Sequence, residues 1–493
     1  MKRVVVVGAG VGGLAAAVEL SARPGVEVVV VEAADRVGGK MGVAFHDGVR
    51  FDTGPSLFTL PEVLRGVVES RGKVLEEELE LFRPAPVFRY LLSGGERLDV
   101  AARLEETGEN VRRSLGAKAA GEFREFMGYS RKIWEAAAPH FVMGQAPTAF
   151  SAVKLGLREL KALRDIDSMT TMAAAIDKRV SHRGLRDVFL RYATFNGSDP
   201  RCAPATLNCV AWVDMGIGAY GVDGGMHEVA LLLERLAREG GVEVRLSEPV
   251  RSVRTGGRGM VVETAAGVLE ADAVVMNADV RHLIEDLWAD AKPHGVKAGG
   301  PPSTSGFNLV VRARRRTEEE RPGHQVLFCD GDYMQEFEDL FDGEVPPREP
   351  TLYLCAKEKA HRSQGWEEEE PLFVMANAPA VREGQKDVNW EAYEKLVMKR
   401  LLGAGLIDED DEVVWRRTPQ GLAERFPGSR GSLYGAASNS RLSAFSRPPN
   451  RAPKVKGLYL ASGSAHPGGG VPLCMQSGRQ AARELVGDLL GGD

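Results

Sequence analysis

The sequence holds only five cysteines, Cys202, Cys209, Cys329, Cys355 and Cys474, and no two of them form a CxxC pair. An odd count without paired spacing argues against a disulfide framework and against a cysteine metal site, and it suits a reducing compartment. Positive charge is not in excess: 63 Lys and Arg against 69 Asp and Glu leave a net charge of −6, so nucleic acid is not an expected partner. No apolar run reaches the roughly 18 residues that a membrane-spanning helix needs. The apolar start, Val4 to Val7, is too short for a signal peptide and runs straight into a glycine turn. Internal repeats are lacking too. What remains is ordinary globular usage, 43% hydrophobic and 27% charged over 493 residues. That is too long for one core, so two domains are expected.

The N-terminus carries the strongest pattern. A valine run, Lys2 to Val7, leads into Gly8-Ala9-Gly10-Val11-Gly12-Gly13, then an Ala/Leu-rich helical stretch to Leu20, then a second valine run, Val26 to Val31, ending at Glu32. Strand, glycine turn, helix, strand and acid in about thirty residues form the dinucleotide-binding βαβ unit. Gly8 permits the tight turn, Gly10 lets the backbone approach a pyrophosphate, and Gly13 lets helix and strand pack closely. The helix N-terminus offers free N–H groups to the diphosphate. Glu32 stands where a carboxylate accepts hydrogen bonds from an adenosine ribose and repels a 2′-phosphate, which disfavours NADP and leaves FAD or NAD. A second glycine pair follows at Gly38-Gly39-Lys40, and then Asp52-Thr53-Gly54-Pro55-Ser56.

Further along, Val87 to Val100 reads as a hairpin and Leu104 to Arg191 as mainly helical. Phe123, Phe126, Trp134 and Phe141 are bulky positions there, readable as helix core or as a greasy tunnel wall. Ser151 to Arg164 alternates leucines with Lys154, Arg158, Lys161 and Arg164; such a basic amphipathic helix fits a membrane interface or a solvated face. Val242 to Leu246, a meander over 250–270 and Ala271 to Asn277 are expected strands. A second sheet is expected from Phe307–Val311, Gln325–Cys329, Thr351–Cys355, Leu372–Asn377 and Val413–Arg417. The charge run Arg312 to Arg321 reads as a solvated connector. The last strand, Gly457 to Ser462, precedes Gly463-Ser464-Ala465-His466-Pro467-Gly468-Gly469-Gly470-Val471-Pro472 and a final helix, Leu473 to Leu490. Two layers therefore interleave: 1–75, 221–300 and 440–493 for the nucleotide, and 76–220 and 301–439 for the other partner, with a site between them.

The closing turn, taken with Gly8 to Gly13, Glu32, Gly38-Gly39-Lys40, Asp52 to Pro55 and Gly224-Gly225-Met226, resembles the bacterial carotenoid desaturases of the phytoene desaturase type. The resemblance runs over essentially the whole chain. It implies an α/β fold: a two-dinucleotide-binding-domain flavoprotein with a Rossmann-like FAD domain and an interleaved α+β substrate domain. It implies FAD bound through Gly8, Gly10, Gly13, Glu32, Gly38, Gly39, Lys40, Val250 (where such enzymes clamp the adenine), Gly463, Gly470, Val471 and Pro472. The activity implied is the removal of a hydride to FAD and a proton from the neighbouring carbon of an acyclic carotenoid. The cation left beside a polyene needs only a weak base, which suits a sequence without an evident acid/base pair; His466 is a catalytic candidate only by the place near the flavin that the resemblance gives it, and orienting the turn is its other reading. No metal is implied.

Gly463-Ser464-Ala465-His466, Leu473, Gly39-Lys40-Met41 and the stretch Tyr192 to Asn208 look like the branch that desaturates 1-hydroxycarotenoids at the 3,4 position. Asn196, Ser198 and Asn208 are candidate partners for the substrate hydroxyl. A phytoene-type desaturase, a carotenoid isomerase or ketolase, and a non-enzymatic lipid escort are the alternatives. An amine oxidase should show an aromatic cage at the flavin, for which the last strand offers Tyr459 without a Trp. So insoluble a substrate implies peripheral attachment to the inner face of the cell membrane from the cytoplasm, with 151–164 as the attaching surface.

Overall fold

The computed structural model describes residues 1–146, 165–257, 259–290, 295–385, 387–440, 443 and 447–491. The basic stretch 151–164 lies outside them.

The unbroken valine runs become the middle of a five-stranded parallel sheet. Its order is Leu458–Leu460, Ala273–Met276, Lys2–Val7, Val26–Val31, Glu243–Arg245. Val4 stands opposite Val28 on one side and Ala273 on the other. Val4 and Val6 face one core, with the helices Val11–Ser21, His227–Glu239 and Val471–Leu490; Val5 and Val7 face another, against the three-stranded meander Val250–Thr255, Met260–Thr264, Val268–Ala271. A strand buried on both faces has no polar side to show, which is why these strands do not alternate. The first and last helices cross where Gly12 meets Gly478: a Cβ on Gly478 would stand 2.0 Å from the Gly12 carbonyl oxygen.

The second sheet has seven strands, in the order Glu412–Arg417, Ser305–Arg314, Glu369–Ala378, Leu352–Ala356, His324–Leu327, Phe88–Leu91, Arg97–Val100. All neighbours are antiparallel except His324–Leu327 beside Phe88–Leu91. One face packs under the helix Trp390–Gly403 through Leu309, Leu354, Val374 and Val397. The other face, with Tyr90, Val326, Tyr353 and Phe373, meets the helices that precede Gly221.

Those helices begin with Leu104–Phe141, which bends at Gly116, where φ is +95°. Phe123 and Phe126 are fully buried and stack on Phe189, so they are helix core and not tunnel wall. Trp134 packs against the nucleotide-side core. After Arg183–Leu190 the chain tightens into a 3₁₀ turn, Arg191–Phe195, and later widens into π-helical bonding over Trp212–Gly218.

The charge run 312–321 is not a simple solvated connector. The strand continues to Arg314, and Arg321 is 1% exposed, bonded through Nη1 to Glu370 at 2.8 Å. Lys359 reaches the same carboxylate at 2.7 Å. The pairing spans 49 residues, beyond the reach of a local pattern.

Candidate active site

The glycine turn sits at the C-terminal edge of the parallel sheet, where nucleotides bind in open α/β folds. Gly8 takes φ +102°, and a Cβ on Gly13 would lie 2.2 Å from the Gly8 carbonyl oxygen, so both positions require glycine. The helix Val11–Ser21 has Gly10 as N-cap, no side-chain cap and no acid in its first turn. Its leading N–H groups are thus open to an anion. Gly10 is a partial correction: a Cβ there would meet Asn277 Oδ1 at 2.6 Å. Asn277, just past the strand Ala273–Met276, also bonds the Ala461 carbonyl, and it ties the two ends of the chain together.

Glu32 accepts from the Ala9 N–H at 2.6 Å and from the Ala34 N–H at 2.8 Å. Each carboxylate oxygen accepts one of these bonds and keeps acceptor capacity for a ribose hydroxyl. Gly38 donates to the Ala9 carbonyl at 2.9 Å, and a Cβ on Gly39 would stand 3.2 Å from Gly10 Cα. The two glycine loops therefore face one another with nothing but backbone between them. Val250 begins the meander and packs beside the cluster of Val29, Val31 and Met276. Lys40 turns to the other wall: its Nζ donates to the Ser432 carbonyl at 2.8 Å. Burial pushes its pKa down, with Asp279 and Cys474 opposing.

The C-terminal turn is held by groups that sequence reading passed over. Asn450 Nδ2 donates to the carbonyls of Leu460 at 3.0 Å and His466 at 2.9 Å. Buried Arg447 donates to the Ala436 carbonyl at 3.0 Å and the Gly463 carbonyl at 3.3 Å, and burial brings its pKa down to about 10. Ser464 Oγ accepts from the Val280 N–H at 2.9 Å. Gly463 packs on Cys474 and Gly469, and Gly469 on Tyr434. Gly470, at φ +107°, is the N-cap of the final helix, which starts at Val471 with Pro472 in its first turn and again no side-chain cap. That is two residues earlier than the sequence suggested, because proline suits the first helical turn.

His466 is 2% exposed, and its Nε2–H donates to the Gly144 carbonyl at 3.1 Å. Burial holds the imidazole neutral, with a pKa of about 4. Gln476 and Gln480 of the final helix bond the carbonyls of Met143, Val142 and Gly144, so the end of the long helix is clamped to the turn. Tyr459 lies in the nucleotide core and donates to Asp488 at 2.6 Å, so it forms no part of an aromatic cage. Of the hydroxyl candidates, Ser198 is bonded to Asn196 at 3.2 Å and to the Ser438 N–H at 2.8 Å. Asn208 donates weakly to the Met172 carbonyl at 3.5 Å, and its Oδ1 is buried without a partner. Among the described residues no cluster of potential metal ligands occurs.

Two uncapped helix starts, a ribose-accepting carboxylate and two facing glycine loops fit FAD. Comparison with known proteins agrees. The family model of flavin containing amine oxidoreductases matches residues 11–486. The hydroxyneurosporene desaturase of Rubrivivax gelatinosus is 34% identical over 99% of this chain and 94% of its own. That of Cereibacter sphaeroides is 34% identical over 99% and 98%, and the 1-hydroxycarotenoid 3,4-desaturase of a Flavobacterium is 31% identical over 98% of both. Among solved structures, a putrescine oxidase with bound putrescine has a TM-score of 0.60 at 18% identity, covering 98% of this chain and 99% of its own. An oxidoreductase of Methanosarcina mazei has 0.61 at 16%, covering 98% and 100%; these two speak for the fold. The chain is an FAD-dependent oxidoreductase that belongs to the flavin-containing amine oxidoreductases and, within them, to the carotenoid desaturase family.

Proposed function

We propose that the protein introduces a carbon–carbon double bond at the 3,4 position of an acyclic 1-hydroxycarotenoid. The observation that carries this is the full-length similarity, at 30–34% identity, to five proteins named as hydroxyneurosporene desaturases or carotenoid 3,4-desaturases. Gly463-Ser464-Ala465-His466 and Leu473 at the closing turn support the same branch.

FAD, when bound, supplies the hydride acceptor. The chain's own residues hold and orient. The open N–H groups after Gly10 would hold the diphosphate, and Glu32 would accept from the ribose. The turn from Gly463 to Gly470, held by Asn450 and Arg447, positions the second helix start, which would meet the flavin. His466, neutral and bonded to the Gly144 carbonyl, braces this turn against the long helix. The chain's remaining task is to exclude water and to align the target bond.

Attachment to the inner face of the cell membrane from the cytoplasm belongs to the same proposal. It is supported by the insolubility of the substrate class and by the basic, leucine-bearing stretch 151–164. No helix among the described residues is long and apolar enough to cross a membrane.

The test is to incubate the purified flavoprotein with a 1-hydroxycarotenoid and to weigh the product. A loss of two hydrogens is expected. A gain of oxygen would favour the second reading, which rests on relatives named as 4,4'-diapolycopene and 4,4'-diaponeurosporene oxygenases at 29% and 26% identity.

A further inference from the structure

The inner face of the seven-stranded sheet carries buried polar side chains among its apolar ones, His324 and Lys357 with them; two further charged groups stand where the helices meet this face. Arg191, at the start of the 3₁₀ turn, is 6% exposed. Its guanidinium lies among four rings, with centroids at 4.9 Å for Phe195, 5.5 Å for Phe88, 5.7 Å for Tyr90 and 6.0 Å for Tyr353. It donates to the Tyr90 hydroxyl at 3.4 Å, and among the described residues no carboxylate comes within ion-pairing distance of it. Asp214, on the π-helical turn, is 3% exposed. Its Oδ2 accepts from the Tyr192 hydroxyl at 2.7 Å, while its Oδ1 is buried without a partner. Tyr192, the residue after Arg191, links the two groups through this bond, and among the described residues they form no ion pair with one another. Burying a charge is costly unless it is paired and hydrogen-bonded, so a group that bonded both would offset part of that cost.

The group also lies close in the fold to the closing turn. The 3₁₀ turn that Arg191 starts runs on to Gly197, whose carbonyl accepts from the Thr304 N–H at 3.1 Å, and to Ser198, whose Oγ accepts from the Ser438 N–H at 2.8 Å. The Leu433 N–H bonds the Thr304 carbonyl at 3.1 Å, and the Cα of the next residue, Tyr434, stands 2.5 Å from where a Cβ on Gly469 of the closing turn would be. In a 1-hydroxycarotenoid the carbon bearing the hydroxyl is two bonds from C3. A group that reads this hydroxyl must therefore stand beside the flavin turn. A tertiary alcohol accepts one hydrogen bond and donates another.

We propose that Arg191 and Asp214 form the binding site for the end-group hydroxyl of the carotenoid, Arg191 donating to its oxygen and Asp214 Oδ1 accepting from it. Tyr192 is the positioning residue, since its hydroxyl holds the other oxygen of Asp214. This site rests on the substrate reading above and adds the residues that select the hydroxyl and fix which bond faces the flavin. It differs from the candidates Asn196 and Ser198, which are bonded to one another.

The experiment measures kcat/KM of the purified, flavin-loaded protein on hydroxyneurosporene, its methyl ether and the hydrocarbon neurosporene, for wild type, Arg191→Leu and Asp214→Asn. In Arg191→Leu the preference for hydroxyneurosporene over neurosporene is expected to fall by about ten- to hundredfold, the selectivity that one buried polar partner supplies. In Asp214→Asn the gap between the alcohol and the methyl ether, which cannot donate, is expected to narrow. Flavin content and melting temperature identify folded variants, and either variant alone decides if the other does not fold. An equal loss on all three substrates, or an undiminished preference for the alcohol, would overturn the site. Wild type showing no preference for the alcohol would instead overturn the substrate reading, and the site with it.

Discussion

Glu32 is the residue that most directly ties the sequence to a dinucleotide. Its carboxylate anchors the Ala9 and Ala34 N–H groups and keeps acceptor capacity for a ribose hydroxyl. Glu32→Ala removes a charged acceptor whose bonds contribute about 1.5–3 kcal/mol each. Flavin affinity should weaken roughly ten- to hundredfold, read by titrating FAD into apoprotein; an unchanged Kd would contradict the assignment. Gly10→Val is a poorer probe, because its side chain would first strike Asn277. His466 carries a second residue-level expectation. Its folded pKa of about 4 lies below the ordinary 6.5, so the unfolded chain binds the proton more readily. The stability this neutral, bonded ring contributes is complete above pH 6.5 and is lost as pH falls through about 4, by at most about 1.4 kcal/mol per pH unit. The unfolding free energy of wild type minus that of His466→Asn, from urea titrations, should be smaller at pH 5 than at pH 7.5. A larger difference at pH 5 would mean that the ring is charged in the fold. The glycines and Glu32 were legible in the sequence because each answers a local demand of backbone or charge. Asn277, Arg447 and Asn450 were not, because their partners are set by how distant loops meet.

Among the elements, the βαβ unit and the closing strand and helix are readable at nearly full length, since valine runs and glycine turns are local signals. The long helix was legible as helical but not its bend at Gly116, nor the 3₁₀ and π-helical turns that bring Arg191 and Asp214 to one face. The charge run before His324 was misread for a related reason: a run of arginines and glutamates looks solvated until the strand Glu369–Ala378 supplies Glu370. With Arg321 1% exposed and Glu370 fully buried, removing one partner leaves a buried charge. Arg321→Met should destabilise the protein by about 3 kcal/mol, the lower end of the 3–5 kcal/mol for a broken buried pair, because Lys359 still meets Glu370. A shift below about 0.5 kcal/mol in chemical denaturation would show the network to be dispensable.

At the scale of the molecule, the nucleotide sheet draws strands from residues 2–31, 243–276 and 458–460, and the second sheet from 88–100 and 305–417. The glycine loops and the closing turn come together only because the chain returns twice to the first sheet. Membrane attachment is proposed to run through the basic stretch 151–164. Replacing Lys154, Arg158 and Lys161 by Glu should reduce flotation with anionic liposomes, and added salt should reduce that of the wild type; unchanged flotation would leave 151–164 without this role. The reaction proposed for this flavoprotein is the desaturation of an end-hydroxylated acyclic carotenoid. The direct measurement supplies the purified yellow protein with a 1-hydroxycarotenoid and with phytoene at equal concentration and follows both by chromatography with absorption spectra. The hydroxylated carotenoid should be consumed faster and gain one double bond next to its hydroxylated end; faster consumption of phytoene, with the hydroxylated carotenoid untouched, would rule this reaction out.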